Sequence, residues 1–546
     1  MSLRLPPPGT DGAVRLIRTS LPMLREDPQD CPRGNALRAR PLIGQTPPGS
    51  RWKPVEDFAL GPVMYALDAV EHDGVAVETV LARLRRNNKY HSGHTSWAES
   101  AVRSYLSARE ASETQRRALG RPATLPVRAQ WTVIAQREVP DQRGATRYER
   151  TAWGRRYESA DGSERELWLL SVNSAKEDRP PAEIAEAAAV TATGVPCRSA
   201  FGDIFRPVSD RTTRPTRVRV VGVGCGHGDH VVLADYDAKE VERQFTEFAK
   251  PVLARMVEDD RLNAGSSCIR CQGLAGCAQP RRAPGILCVP GPRRPRARRS
   301  VSASDLRVHS RCPAQFHLTR VLHLRSGEPE SEPIRRGRAV DDWLNLRHEK
   351  GCCRTALLPE TLPGLAPAEM ATALAMLAEH QRACPLDGLP PDECIRVQPR
   401  LTAYDPELDV VLIADPDLLY TRSGGWIWHE TKTAAKRPYA GKGLMETYPQ
   451  LAFAVLLMSA GVPGGDPRRS LIELEVLYMD GSRCRSLCEE IDPGDPDTLA
   501  EARRVIAALA GSWAVDETYD PTPGNHCSGC DMLAHCATGR AHLEAE

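Results

Sequence analysis

The chain has 546 residues and an almost balanced charge, with 72 basic and 71 acidic side chains, so its net charge gives no sign of a nucleic-acid partner. The 17 cysteines are odd in number and unevenly spaced, which argues against a secreted disulfide scaffold and for metal ligands in a reducing compartment. No apolar run reaches the length of a membrane span and no signal-peptide core stands at the N-terminus, so we expect a cytoplasmic protein without membrane contact.

A first α/β domain is predicted over residues 1–280. It begins with Cys31-Pro32 and continues through helical and strand patterns, including a strand around Trp168. A late strand over 218–223 and an amphipathic helix over 241–256 lead to a cysteine trio. The trio consists of Cys268, Cys271 and Cys277.

Residues 281–300 are rich in proline and arginine. Because proline interrupts helices and like charges repel, this stretch is predicted to be an extended basic linker. The same run of positive charge could instead follow a phosphate backbone.

A second α/β domain is predicted over residues 301–546, on the same plan as the first. Cys312-Pro313 opens it, Trp426 lies in the matching strand, a late strand covers 472–479, and an amphipathic helix covers 498–509. A second cysteine trio closes it, namely Cys527, Cys530 and Cys536. Recurrence at this spacing indicates a domain duplication rather than a short-repeat array. The predicted fold is therefore a tandem of α/β domains, each a mixed sheet flanked by helices.

The two trios, each with its upstream Cys-Pro, form two sets of four thiols. Four thiolates gathered from both ends of a segment can bind a metal or cluster that closes the segment. The single upstream cysteine favours a 4Fe–4S cluster over a zinc ribbon, which usually offers two short Cys-x2-Cys pairs. Zinc and reduced structural thiols remain the alternatives, above all for the first set. The sets are Cys31, Cys268, Cys271 and Cys277, and Cys312, Cys527, Cys530 and Cys536.

The second half also carries a pattern of hard ligands. Residues 410–420 are predicted to form one hairpin strand that delivers Asp417. After a Ser-Gly-Gly turn, the next strand carries Glu430 and Lys432 on one face, because side chains alternate along a strand. Two carboxylates can hold Mg²⁺ or Mn²⁺, with the backbone carbonyl of Thr431 as a further ligand. Lys432 can orient a metal-bound water or steady the charge that develops on a phosphate.

In these residues the second half resembles the PD-(D/E)XK nuclease superfamily, and more narrowly the RecB/AddB-like and CRISPR-adaptation nucleases whose domain is clasped by a 4Fe–4S cluster. The resemblance covers about residues 300–540 and implies a restriction-endonuclease-like fold that cleaves DNA with Mg²⁺ or Mn²⁺. Its motifs correspond to Gly337–Asp341 in the first helix, Asp417, Glu430 with Lys432, Gln450 and the second cysteine set. It implies that Asp417, Glu430, Lys432 and Gln450 are catalytic and that Asp341, Asp417, Glu430 and Thr431 bind the metal.

Two positions depart from the family pattern. Asp341 stands where the family usually has a metal-binding histidine, and Ala454 stands where its QxxxY motif has the tyrosine. An aspartate can ligate Mg²⁺ or Mn²⁺, but the exchange puts metal preference and activity in doubt. The matching residues also have structural explanations, such as a turn for Asp417 or a surface ion pair for Glu430 with Lys432.

The first half keeps the plan without the carboxylates. Alignment of the two tryptophan strands places Val172 and Ser174 where the second half has its glutamate and lysine, and Tyr65 where it has its helix aspartate. We therefore expect an inactive nuclease-like domain, retained for binding DNA or a partner. Arg155 and Arg156 would suit phosphate there, or they lie in an exposed hairpin.

The predicted function is metal-dependent hydrolysis of DNA in repair, recombination or anti-phage defence. The alternative is a catalytically inactive DNA-binding or scaffold subunit of a helicase–nuclease or defence complex. Since the chain has no Walker A loop, a helicase or other ATPase would have to be a separate partner.

Overall fold

The computed structural model describes residues 15–25, 28–41, 53, 55–138, 145–198, 204–208, 214–291, 294, 296–327, 330–437 and 443–545. The strands are β1 (Leu16–Ser20), β2 (Thr124–Pro126), β3 (Gln130–Glu138), β4 (Ala145–Thr151), β5 (Arg155–Ser159), β6 (Glu164–Ser171), β7 (Val195–Arg198), β8 (Arg206–Pro207), β9 (Arg217–Gly224), β10 (His230–Asp237), β11 (Arg281–Arg282), β12 (Arg299–Val301), β13 (Ile395–Val397), β14 (Leu401–Asp405), β15 (Val410–Ala414), β16 (Leu418–Arg422), β17 (Gly425–Ala434), β18 (Leu471–Asp480) and β19 (Arg483–Ile491).

The α-helices are α1 (Pro32–Arg38), α2 (Gly61–Asp73), α3 (Val77–Arg85), α4 (Ser92–Ala118), α5 (Pro181–Thr193), α6 (Ala238–Gln244), α7 (Lys250–Glu258), α8 (Ala303–Arg311), α9 (Pro313–Phe316), α10 (Glu332–His348), α11 (Pro367–Arg382), α12 (Leu444–Thr447), α13 (Pro449–Ser459), α14 (Pro496–Val515) and α15 (Ala537–Ala545). None of the helices in the described part of the chain is long and apolar enough to cross a membrane.

The main sheet of each half has five strands. The order is β2-β5-β6-β9-β10 in the first half and β13-β16-β17-β18-β19 in the second. In both sheets the third and fourth strands are parallel and all other neighbours are antiparallel. The two halves therefore share one strand order and one set of strand directions.

A second sheet in each half, with five strands in the first half and four in the second, repeats another arrangement. In the first half β1 lies parallel to β4, which pairs with β3 as an antiparallel hairpin. In the second half β12 lies parallel to β15, which pairs with β14 in the same way. The mixed α/β architecture with helix-flanked sheets is thus confirmed, whereas separate domains that arose by duplication remain a prediction.

Local sequence explains the elements that carry the second half's polar residues. The β16–β17 hairpin turns through Ser423 and Gly424, whose φ angles are 54° and 83°, as a two-residue turn with two left-handed positions requires. The residues 425–430 of β17 are buried because this strand lies between β16 and β18. Pro449 opens α13, where the missing N–H of proline is no loss, and residues 451–458 of that helix are all buried in the core of this half.

Residues 281–300 were predicted to form an extended basic linker, but those that the structure describes include strands and buried side chains. Residues 281–282 form β11 beside β14, and Arg299 begins β12 beside β15. Ile286 and Leu287 are buried in the core of the second half. The guanidinium of Arg299 lies 3.9 Å from the ring centre of Trp513. Arginine heads stack on aromatic faces and their stems cover apolar surface, so these residues belong to the C-terminal fold rather than to a free tether.

The cysteine-bearing end of the first half packs against the second half. Cys268 and Leu274 share an apolar cluster with Tyr404 of β14 and Val411 of β15. The side chain of Arg298 also donates to the backbone carbonyl of Cys271, with a distance of 3.0 Å between nitrogen and oxygen. The first cysteine set therefore lies at the junction of the halves.

The second half makes the reciprocal contact. Leu318 and Met532, from the segments around the second cysteine set, lie in one apolar cluster with Trp97 of α4. The Nε2 atom of His91 is 3.1 Å from the carbonyl oxygen of Tyr519. Both cysteine sets thus lie next to surfaces that hold the two halves together.

Candidate active site

Strand β17 presents Glu430 and Lys432 on the same side, as strand alternation predicts. The Nζ atom of Lys432 lies 2.7 Å from Oε2 of Glu430. Glu430 is 4 % exposed, and the indole Nε1 of Trp428 donates to its Oε1 over 2.9 Å. The carboxylate is therefore held in one orientation by a charge and a hydrogen bond.

Asp417 joins this pair from a different local structure than predicted. The single strand expected over 410–420 is wrong, because β15 ends at Ala414 and β16 begins at Leu418 in another sheet. Pro416, which has no N–H for a ladder hydrogen bond, lies at the break. Asp417 therefore stands at the junction of two sheets.

Two donors from β17 hold the Asp417 carboxylate. The backbone N–H of Thr431 donates to its Oδ2 over 2.8 Å, and Nζ of Lys432 lies 3.2 Å from the same oxygen. Lys432 thus bridges the carboxylates of Asp417 and Glu430. Burial lowers the pKa of Lys432, but these two negative charges outweigh that effect and raise it.

Asp341 reaches the same place from α10. It lines one cavity with Asp417, Thr431 and Lys432, and its Oδ2 accepts a hydrogen bond of 2.9 Å from Nε2 of Gln398. Burial and the charge of Asp417 raise the pKa of Asp341 to about 6. A group of acids whose pKa values rise through mutual repulsion is one that a cation would stabilise.

The pKa of Glu430 is shifted in the same direction. Burial raises it, Lys432 opposes the rise, and Asp417 adds to it. Gln450, in the first turn of α13, lines a cavity with Asp417, Glu430 and Lys432. The structure thus brings the predicted catalytic residues to one groove, and their hard oxygen donors suit Mg²⁺ or Mn²⁺.

Each cysteine set lines one cavity. The first surrounds about 220 Å³ with no acidic side chain in the lining, and the second surrounds about 20 Å³. Burial and the other three thiols of the first set raise the pKa of Cys268 to about 11. Burial and the partner thiols also raise the pKa of Cys530 in the second set. Four soft donors suit iron–sulfur or zinc, and the first cavity has the more room for a multi-atom cluster.

The sequence analysis missed a further group of ligand-type side chains. The ligand atoms of His348, Cys353, His380 and Cys384 all lie within 4.8 Å of one another, and all four residues are buried. The signal in the sequence is a His-x4-Cys pair followed by a His-x3-Cys pair. The two pairs lie too far apart along the chain to be joined without the fold.

In the first half, the region that corresponds to the candidate active site contains a buried arginine whose charge is balanced by two carboxylates. Arg155 is 4 % exposed, and its guanidinium binds Asp68 and Glu71 of α2, with Nε 2.9 Å from Oε2 of Glu71. The expectation that Arg155 contacts phosphate is therefore wrong, because both of its charge partners belong to the protein and it is closed to solvent.

The predicted strand alignment between the halves also needs correction. Trp168 pairs with the first residue of β5, whereas Trp426 pairs with Thr421 near the end of β16. Val172 and Ser174 consequently lie beyond the end of β6, while their supposed counterparts lie inside β17. The loop between β5 and β6 is longer than the loop between β16 and β17, so the two tryptophans lie at different positions along their strands. The last residues of β6, 169–171, are Leu-Leu-Ser and include no carboxylate.

Comparison with known proteins finds one family model that matches the second half. Residues 300–537 match the model of the PD-(D/E)XK nuclease superfamily. No curated protein matches the chain. Among solved structures, one described as "Crystal structure of SSO0001" has a TM-score of 0.21 and 14% sequence identity, over 44% of this chain and 86% of that chain. A similarity at that level supports no conclusion about this protein.

Proposed function

We propose that the second half is a Mg²⁺- or Mn²⁺-dependent nuclease that hydrolyses phosphodiester bonds in DNA. The observation that carries the proposal is the convergence of Asp417 and Glu430 on Lys432, whose Nζ atom lies within hydrogen-bonding distance of both carboxylates, inside the segment that matches the nuclease superfamily. An acid pair bridged by an amine is also a common ion pair. Here, however, a third acid, Asp341, lines a cavity together with Asp417 and Lys432.

Each residue has a role in this proposal. Asp341, Asp417 and Glu430, with the carbonyl of Thr431, would hold the cation, which when bound polarises the scissile phosphate and lowers the pKa of its water. With the cation bound to the two carboxylates, Lys432 would be able to donate to the attacking water or to the phosphate oxygen that gains charge. Gln450 can orient the substrate from the first turn of α13.

The test exchanges each carboxylate for its amide. Asp417→Asn and Glu430→Gln should each lower cleavage of labelled DNA by about 100-fold or more, because each removes a charged metal ligand while it keeps the side-chain shape. Asp415→Asn is the matched control, since Arg400 already binds that carboxylate through two hydrogen bonds of 2.8 and 2.9 Å. Full cleavage by Glu430→Gln would falsify the assignment.

Asp341 stands where the family usually has a metal-binding histidine, and this difference favours one alternative. In that alternative the site binds DNA without cleaving it. A carboxyl with a pKa of about 6 is partly protonated near neutral pH and then binds a cation less well. Cleavage assays with Mg²⁺ and with Mn²⁺ separate the two functions. Binding without cleavage in either metal would identify a DNA-binding or scaffold subunit.

We further propose that at least one cysteine set holds a 4Fe–4S cluster, as in the RecB/AddB-like nucleases that the second half resembles. Anaerobically purified protein should then be brown and contain iron and sulfide. Cys271→Ser and Cys530→Ser, measured separately, assign the iron to the first or the second set. Zinc in place of iron in the anaerobic protein would contradict this proposal and leave the nuclease proposal intact.

The first half is proposed to be a degenerate copy that binds DNA or a partner. Its support is the shared strand order of the two main sheets together with the missing carboxylates at the end of β6. A setting in repair, recombination or defence, with a separate helicase or defence subunit, rests on the family resemblance alone. Cleavage by a chain that carries both Asp417→Asn and Glu430→Gln would contradict the inactivity of this half.

A further inference from the structure

The cluster of two histidines and two cysteines lies at the C-terminal ends of α10 and α11, where the ring of His380 is 6.5 Å from the ring of His429 on β17. His348 ends α10, Cys353 lies in the loop after it, His380 is in the last turn of α11, and Cys384 follows that helix. We propose that these four residues bind a structural Zn²⁺ ion, at a site separate from both the carboxylates and the four-cysteine sets.

The distances are those of a tetrahedral site. The Nε2 atoms of His348 and His380 are 3.3 Å apart, and the Sγ atom of Cys384 is 3.8 Å from Nε2 of His348. Two nitrogens that each lie about 2.0–2.1 Å from one tetrahedral zinc are about 3.3 Å apart, and a sulfur and a nitrogen are about 3.6 Å apart. Two thiolates with two imidazoles are also a ligand set typical of structural zinc.

The surrounding groups prepare the ligands for a metal. Nδ1 of His380 forms a hydrogen bond with Oε2 of Glu475, which as a carboxylate can only accept, so Nδ1 carries a proton and Nε2 is the ring nitrogen left to bind a metal. The backbone N–H of Cys353 donates to Sγ of Cys384 over 3.4 Å, as expected for a thiolate.

Burial argues against the other uses of such residues. His380 and Cys353 are 0 % exposed, and His348 and Cys384 are 4 % and 5 % exposed. A cysteine–histidine nucleophile must be reached by its substrate, which this cluster does not allow. Apolar side chains surround it, including Leu377 and Leu386. Zinc at this place would join the ends of two helices whose connecting segment is long, and its binding would add to the stability of the folded state.

The first test is the metal content and coordination of the full chain, purified without oxygen from zinc-containing medium. Elemental analysis should find one zinc per chain that disappears in Cys384→Ser and persists in Cys394→Ser, which changes an exposed thiol. Zinc X-ray absorption should show nitrogen as well as sulfur ligands. Zinc with sulfur ligands only, no zinc at all, or undiminished zinc in Cys384→Ser would overturn the proposal.

A second test does not depend on a ligand variant that folds. Glu475→Gln keeps the shape of the side chain but weakens the orientation of His380, so zinc affinity measured against a chromophoric chelator should fall about 10- to 100-fold. Glu473→Gln is the matched control, two residues earlier on β18, where the carboxylate accepts instead from Tyr420 over 2.9 Å. Equal zinc affinity in the two variants would contradict the site. A disulfide between Cys353 and Cys384 in reduced preparations would contradict it as well.

Discussion

At the scale of single residues, the property that separates this site from a surface ion pair is crowding of negative charge. Asp341 and Asp417 face one cavity and repel each other, and Glu430 is buried beside them. The positive charge of Lys432 offsets only part of the negative charge of these carboxylates. A divalent cation would therefore reduce the repulsion between these carboxylates, whereas an isolated Asp–Lys pair has no such repulsion to reduce.

This crowding predicts a pH dependence of stability. The pKa of Asp341 is raised to about 6 from a model-peptide value of 3.8, so its contribution to stability is present below about pH 4 and is lost as the pH rises through about 6. Without added Mg²⁺ the melting temperature should fall over this window, and Mg²⁺ should restore it above pH 6. Asp341→Asn should remove this fall, whereas Asp342→Asn, a change at an exposed neighbour, should keep it. A melting temperature that does not change between pH 4 and 7 would contradict the assignment.

A second residue-scale prediction concerns the departure from the family pattern. Asp341→His replaces a hard oxygen donor with imidazole, which suits Mn²⁺ better than Mg²⁺. We expect the ratio of Mn²⁺- to Mg²⁺-supported cleavage to rise in this variant. An unchanged ratio would mean that Asp341 does not bind the metal.

At the scale of elements, α10 connects the two proposed metal centres. Asp341 and His348 are seven residues apart on this helix, which is about two turns or about 10 Å, and they lie near the same face. A zinc ion at the C-terminal end of α10 would therefore help to fix the position of the helix that carries Asp341.

The connection predicts an indirect effect on cleavage. His348→Ala should lose zinc and lower the single-turnover cleavage rate about 10- to 100-fold, because misplacement of a metal ligand by about 1 Å is enough for such a loss. His348→Cys should restore both, since it supplies another zinc ligand. Leu346→Ala, at a position 60 % exposed on the same helix, is the control. Full cleavage by zinc-free His348→Ala protein would show that cleavage does not depend on the zinc site.

At the scale of the whole molecule, the halves hold each other through the segments that carry the cysteine sets. The first set packs on β14 and β15, and the segments beside the second set pack on α4. The contact is close at Gly93 of α4, where an added Cβ would lie 2.7 Å from Cδ1 of Leu318. The two halves are therefore not expected to be fully stable apart.

The tight contact gives a simple test. Gly93→Ala should destabilise the protein by about 1–3 kcal/mol, because extra volume in a packed contact forces the neighbours to shift. Gly511→Ala in α14 is the matched control, since an added Cβ there meets no atom within 4 Å and alanine favours the helix. Chemical denaturation of both variants measures the difference. Equal stability of the two would indicate that the halves can separate without cost at this point.

Much of this protein was predictable because the relevant physics is local. The alternation of side chains along a strand placed Glu430 and Lys432 together, the Ser-Gly-Gly turn indicated the hairpin, and the proline at 449 marked the start of α13. The order of elements in the two halves was likewise visible from hydrophobic periodicity. The cysteine sets could be grouped from spacing alone, and each set lines one cavity.

The sequence by itself therefore determined which residue types carry the chemistry and in what order, since strand alternation, turns and ligand spacing act over a few residues. Only the tertiary structure decided the rest. The break at Pro416, which moves the chain into another sheet, depends on strands distant in sequence. The neutralisation of Arg155 by α2 and the packing of the basic segment on Trp513 depend on partners far along the chain. The His348–Cys384 cluster forms because two helix ends meet, and no pattern within either pair specifies that meeting.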